Sequence, residues 1–236
     1  MRFSDLALSR RLERAEGYAC AQFGEARRRL FPDSGSEWME CSGAYAVFDG
    51  IGSPVTQTFG LGLFEELTAA SLDVIERFFL DRGAQVDHEV SPLVGIAALS
   101  LLCARQYRPI EISNVMYRPT EKPAAEEYGN IRVRVTGPED AQLWTATSAK
   151  GWTHEHPELL GFFLQSTNIS SAREQSPCFL ASSMANPAPR AHFVFITELP
   201  YSPVRLQFQR CAVGGCKRRS FKSVCDTPST TAVIWP

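Results

Sequence analysis

No run of apolar residues in this chain approaches the roughly 18 needed to cross a bilayer, so a membrane span is excluded as an expectation. A surplus of one charge is also missing. The 24 Lys and Arg residues nearly balance 26 Asp and Glu, a formal net charge of -2, which gives no global pull toward nucleic acid or a membrane surface. The first residues, "MRFSDLALSRRLERAEG", carry charges where a signal peptide needs an apolar stretch. A cytoplasmic protein is therefore expected. Seven cysteines, an odd number scattered without a C-x-x-C pair, argue against a disulfide framework and for reduced thiols. The sequon at Asn168 is read as idle for the same reason.

What is present is an ordinary globular composition: 236 residues, 44% hydrophobic and 21% charged, enough chain for one large domain or two small ones. The average hides a split. Residues 182–236 hold seven basic and two acidic residues, six of the fifteen prolines and three of the seven cysteines. The local balance of +5 there leaves -7 for the first 181 residues, and a shift this abrupt marks a boundary.

Along the chain, Ser4 can cap a helix reaching Leu30, with Leu8, Leu12, Ala15, Ala19, Phe23, Ala26 and Leu30 on its apolar stripe. "EWMECSGAYAVFDG" reads as extended chain closing in an Asp-Gly turn, and "PVTQTFGLGL" as a second strand. Thr68 caps a helix with Leu72, Ile75 and Phe79 inward and Gly83 at the left-handed C-terminal position. "AQVDHEVS" is a further strand. Ser91-Pro92 opens the helix "LVGIAALSLLCARQ", apolar nearly all round and hence expected to be buried on several sides, with Cys103 in its core. "YRPIEISNVMYRP" finishes extended. This β-α-β-α-β order predicts a central sheet flanked by helices. "TEKPAAEEYGN", 120–130, reads as a linker. A second unit opens with the strand "IRVRV" and a helix led by Pro138, Glu139 and Asp140, whose charges suit the helix dipole. "HPELLGFFLQSTN" is the next helix, with Leu159, Leu160, Phe163 and Leu164 apolar, followed by the strand "SPCFLA". "HFVFITEL" is strand-like, but beyond Ala181 no amphipathic helix follows.

Two stretches carry a resemblance. "SPLVGIAALSLLCARQYRPIEISNVMYR", behind the helix "SLDVIERFFLDRG" and the strand "QVDHEV", resembles the C-terminal half of a GNAT-superfamily acetyltransferase domain, where strand and helix lead into "lYxxxGF". "IRVRVTGPEDAQLWTATSAKGW" resembles the opening of a second such domain, with the pattern "I-x-x-R-x-x-x-x-x-D-a". Together they resemble a tandem GNAT protein over roughly residues 42–181. The resemblance implies a mixed central sheet flanked by helices, an α/β (α+β) fold, and acetyl-CoA as co-substrate in N-acetyl transfer to an amine. It also implies a loop "R/Q-x-x-G-x-G/A" whose backbone N–H groups hold the pyrophosphate. A backbone amide would polarise the thioester and a tyrosine would protonate the thiolate.

The chain departs from that pattern. After "TQTFGLG" the loop reads "LFEELTAAS", placing Glu65 and Glu66 where phosphates would sit, and the tyrosine slot is Leu102, with Gln106-Tyr107 for Gly-Phe. The first unit is thus not expected to hold the cofactor. In the second, "RCAVGGCKRRS" stands about where the loop belongs and lacks its spacing.

Other residues invite sharper readings. Cys211, Cys216 and Cys225 with His192 lack the paired short turns of a zinc site, so no metal is expected. Lys217, Arg218, Arg219 and Lys222 have no aromatic interleaving beyond Phe221, so a solvated tail is favoured over nucleic-acid binding. His88 and Glu89, neighbours facing opposite sides of a strand, are the catalytic candidates, one of them a base at the sheet's open end; a polar strand end is the plainer alternative. His154 and His156 in "HEHPE" are candidates for the acceptor-substrate border rather than metal ligands. Arg27, Arg28 and Arg29 read as a solvated helix face.

The expectation is therefore four segments: a degenerate GNAT-like domain over 1–119, a linker over 120–130, the start of a second GNAT domain over 131–181, and an irregular basic tail over 182–236. The function expected is an impaired acetyl-CoA-dependent N-acetyltransferase acting on a small-molecule or peptide amine. A non-catalytic GNAT-like binding or regulatory module is the alternative, and a nucleic-acid-associated protein working through its tail the weaker one. A shifted reading frame near Ala181 would account for the tail, and a truncated second sheet would expose an edge that favours self-association.

Overall fold

A computed structural model describes residues 5–113, 115, 131–153, 156–174, 176–183 and 192–194; at 131–133, 181–183 and 192–194 it describes the backbone only. The chain is mixed α+β and divides into two compact units, 1–115 and 116–236. Among the described residues no helix is long and apolar enough to cross a membrane. The 120–130 linker lies outside the described residues, as do most of the tail and its four basic residues at 217–222.

The first unit opens with α1, Leu6–Leu30. Asp5, rather than Ser4, is its cap: the Leu8 N–H donates to the Asp5 carboxylate at 2.7 Å. The buried face is also rotated from the expected stripe. It carries Ser9, Leu12, Glu13, Glu16, Gly17, Ala21, Phe23, Gly24 and Ala26, while Leu8, Ala15 and Ala19 are half-buried and Leu30 is exposed. The cause is close approach, because Gly17 and Gly24 let the helix axis sit down on the sheet, and the residues around them turn inward with it.

The single extended segment expected over 37–50 is a hairpin instead. β1 (Glu37–Cys41) and β2 (Ala44–Phe48) pair antiparallel around Ser42 and Gly43, both with positive φ, 49° and 76°, as a primed two-residue turn requires. β3 (Gln57–Phe59) pairs antiparallel with β2. Every residue of β2 is buried, because the strand has a helix on each face. Tyr45, Val47 and Phe59 meet α1 residues such as Ala21 on one side. Ala44, Ala46 and Phe48 meet Leu72, Ile75 and Phe79 on the other. Those last three belong to α2 (Ala69–Leu80), which starts in the expected place: Thr68 and Ser71 form a reciprocal capping box, and Gly83 follows the helix at φ 69°.

Behind α2 the chain returns beside β3, where Thr58 and His88 form a parallel bridge. Among the described residues this bridge is the one backbone pairing between the segment 86–90 and the sheet, so the strand expected there is short. Pro92–Val94 form a 3₁₀ turn, and α3 runs over Ile96–Ala104. The expectation that α3 is buried on several sides is overturned. Only Ala98 and Leu102 are buried, Ile96 is 78% exposed, and Cys103 is exposed rather than core. The helix lies against the unit with one narrow face, and its other sides are apolar without being enclosed.

In the second unit β4 (Ile131–Val135), β5 (Phe179–Ser183) and β6 (His192–Val194) form an antiparallel sheet in that order. α4 (Ala141–Trp152) and α5 (Leu160–Ser171) pack together, with the Trp152 and Phe163 rings stacked at 5.9 Å. The Thr167 hydroxyl donates across to the Thr145 carbonyl at 3.2 Å. The apolar side expected for α5 is wrong in detail: Leu159, Leu160 and Leu164 are exposed, and Thr167, Ile169 and Ser170 are buried.

Candidate functional site

The parallel bridge fixes where chemistry-bearing side chains lie in the first unit. The Thr58 N–H donates to the Asp87 carbonyl at 3.0 Å, and the Glu89 N–H to the Thr58 carbonyl at 2.8 Å. Alternation along a strand then sends His88 and Glu89 to opposite faces. The two candidates are kept apart by the backbone and do not form one site.

Glu89 meets α1. Glu13 and Glu16, one helical turn apart, are each 8% exposed and face it. The Glu16 carboxyl is hydrogen-bonded to Glu89, and such a bond needs a proton between the two groups. The Gly60 backbone favours the ionised form of Glu13, while Glu13 Oε2 is buried without a partner. Burial, reinforced by the Glu89 charge, pushes Glu13 up to about 7. The same causes, with Glu13 added, push Glu16 up to about 8. Glu89 is raised by burial as well, although the bond from Glu16 opposes that rise. The cations nearby are committed elsewhere: the Arg10 Nε donates to the Leu63 carbonyl at 2.6 Å, and Arg14 pairs with Glu40 at 2.9 Å. Arg14 also lies 4.0 Å from the centre of the Phe64 ring.

His88 meets the opposite face, with its ring 4.7 Å from that of Tyr107. Both ring nitrogens are buried without a hydrogen-bond partner, as is the hydroxyl of Thr58, whose side chain shares that face. Burial pushes His88 down to about 4, so the imidazole is neutral at physiological pH. The Tyr107 hydroxyl donates to Glu76 at 3.0 Å, and burial and that carboxylate together raise its pKa. Arg105 pairs with Glu76 at 2.7 Å and with Asp73 at 2.6 Å, binding the end of α3 to α2. Between Arg105 and Tyr107, Gln106 adopts φ 67°, the left-handed conformation that suits glycine.

The remaining candidates do not converge. His156 is exposed and pairs only locally with Glu158, 3.0 Å away, and His154 lies outside the described residues. Arg27 is not part of a solvated face, because its Nε lies 2.5 Å from Asp49, whose side chain is 1% exposed. Among the described residues no group of three or more His, Cys, Asp or Glu is arranged to hold a metal. Cys211, Cys216 and Cys225 fall outside that set, and of His192 only the backbone is described.

Two features escaped the sequence reading although their signals were present. Glu13 and Glu16 sit on the same helix face as Leu12, Gly17 and Gly24, an i, i+3 pair of acids amid small residues. Gln57, Gly60 and Gly62 themselves have the spacing Q-x-x-G-x-G, immediately before the loop at 63–71. Both glycines have positive φ, 73° and 72°. In the second unit, Arg134 and Asp140 form a two-pronged ion pair, with Arg134 Nη2 to Oδ1 at 2.6 Å, and the Gly137 N–H also donates to Asp140. The pair closes the turn between β4 and α4. The hydrogen bonds from Arg134, with the Gly137 N–H and the guanidinium charge behind them, hold Asp140 below the usual carboxylate range.

Neither a family model, nor a curated protein, nor a solved structure matches the chain.

Proposed function

We propose that the chain is a tandem protein of the GNAT type whose first unit is a binding or regulatory module without catalysis. Its kinship with acetyl-CoA-dependent N-acetyltransferases rests on the resemblance together with the order of elements. A helix, an antiparallel β-β-β run, a helix, a parallel return at His88 and a further helix follow one another in the first unit. The carrying observation is at the end of β3. There the backbone of Gly60, which the family's glycine loop would aim at a phosphate, lies against Glu13, whose carboxylate it favours.

The residues around it do not fit acetyl-CoA. A Cβ on Gly60 would stand 2.8 Å from the Phe64 ring, and one on Gly43 2.5 Å from the Phe64 Cβ, so this side chain fills the space that glycines leave open. Glu65 and Glu66 are exposed just beyond, before α2, where they repel an anion. The tyrosine slot is the buried Leu102. No proton-transfer step is therefore assigned to His88, which is enclosed, or to Glu89, which is tied to Glu16.

A second reading, impaired acetyl transfer to a small-molecule or peptide amine by the second unit, is favoured by one observation. The Arg134–Asp140 pair gives physical content to the family's strand-to-helix pattern. The association with nucleic acid concerns residues outside the described ones, and of the segment that a shifted frame near Ala181 would alter, only the backbone of 182–183 and 192–194 is described, paired in the second sheet.

Hydrogen exchange of the full chain with and without millimolar acetyl-CoA separates the readings. Unchanged exchange over 57–68 is expected. Protection there would overturn the non-catalytic assignment of the first unit. Protection confined to the second unit, with thiol released in the presence of amines, would establish the second reading.

A further inference from the structure

We propose that Glu13, Glu16 and Glu89 form a proton-operated latch, which keeps α1 seated on the sheet while protonated and releases it when ionised above neutral pH. The inference stands independently of the family assignment.

Its basis is the geometry of the seat. α1 reaches the sheet closely because Gly17 has no side chain; a Cβ there would stand 2.6 Å from the Tyr45 ring and 3.2 Å from the Phe59 Cβ. Glu13 and Glu16 lie on that same closely packed face, within a turn of Gly17, and each is 92% enclosed. The elements packed around this seat carry the following titratable and polar groups. Glu40 of β1 is occupied by Arg14. Tyr45 of β2 lies under Arg14, whose guanidinium is 5.7 Å from its ring centre. The turn after β3 sets the Gly60 backbone against Glu13 and offers the Leu63 carbonyl to Arg10. The segment 86–90 offers Glu89 and, by alternation on the same side, Asp87, which accepts from Gln85 at 2.8 Å. Ser91, just beyond, bonds to Ser9 at 3.0 Å. His88 points to the other face, and none of the influences on the three carboxyls comes from a cation.

Ionised carboxylates require several water contacts each. The seat provides the Gly60 backbone and a shared proton, and the close helix–sheet approach leaves water no route that keeps the packing intact. Hydration therefore lifts the N-terminal half of α1, and the Ser9–Ser91 and Arg10–Leu63 bonds are lost with it. The C-terminal half stays anchored by the Arg27–Asp49 pair.

The test is hydrogen exchange of the full chain at pH 6.0 and pH 8.5, corrected for the intrinsic pH dependence of exchange. Protection over 8–20 should fall at least tenfold at the higher pH, with α2 unchanged as the internal reference. In Glu16→Gln and in Glu13→Gln/Glu16→Gln the fall should shrink or vanish, because the amides stay neutral. Equal protection of 8–20 at both pH values would overturn the latch. So would a fall shared equally by α2, or a fall of the same size in the Gln variants. Should the double variant fail to fold, Glu16→Gln alone decides.

Discussion

Gly17→Ala is the sharpest probe of how α1 meets the sheet. In a helix interior this substitution ordinarily gains about 1 kcal/mol, because alanine loses less backbone entropy on folding. Here the added Cβ meets the Tyr45 Cδ2 at 2.6 Å, the Phe59 Cβ at 3.2 Å and the Tyr45 Cβ at 3.3 Å. Comfortable carbon contacts begin at about 3.5 Å, so the shortest is compressed by nearly an ångström. Two of the three atoms are Cβ atoms fixed by the backbone. The third belongs to a ring held between Trp38, 5.9 Å away, and Arg14. Rotating the ring away disturbs both of these contacts, and the two fixed Cβ atoms still require the helix to shift. Overpacking of this kind costs about 1–3 kcal/mol. Set against the helix gain, the expected net result is a loss of up to about 2 kcal/mol, or several degrees in Tm. Urea unfolding followed by far-UV circular dichroism measures it. A Tyr45→Ala background removes the 2.6 Å contact and should cut the cost of Gly17→Ala by at least half. A stabilised Gly17→Ala protein, or an unchanged cost in that background, would refute the close seat of α1.

Two further outcomes follow from the same unit. Burial holds the His88 pKa at about 4 in the folded chain, below the ordinary 6.5, so the unfolded chain binds its proton more readily. The stability this gives is present in full above about pH 6.5 and is lost as pH falls toward 4, by about 3 kcal/mol in all. His88→Leu should flatten that acid limb in denaturant titrations from pH 7 to pH 4, and an identical limb in wild type and variant would rule out an enclosed neutral imidazole. Gln106, at φ 67°, should be relieved by Gln106→Gly with a gain of up to about 1 kcal/mol, read as a higher urea midpoint. A lower midpoint would mean that the side chain contributes more than its conformation costs.

What could be read from the sequence was governed by how local the cause is. The start of α2 is set by Thr68 and Ser71, three residues apart, and its exit by Gly83, so capping chemistry placed both. The Arg134–Asp140 pair spans six residues and left a visible pattern. The exposure of α3 is different. Nine residues of nearly uniform apolarity give no face a preference, and the packing of the rest of the unit decides that Ala98 and Leu102 go inward. The hairpin at Ser42-Gly43 was hidden because strands on both sides of it are apolar enough to read as one.

The carboxyl cluster was hidden for a deeper reason. An i, i+3 pair of glutamates ordinarily marks a solvated helix face, and the apolar stripe chosen for α1 put Glu13 and Glu16 outside it. Their burial is decided by Gly17 fitting against Tyr45 and Phe59, residues 28 and 42 positions away in the chain. The formal charge of -2 counts Glu13 and Glu16 as fully ionised, yet burial and the neighbouring carboxylates raise both well above the usual carboxylate range. The protonation of these groups is a property of the packing, which residue spacing along one helix does not carry.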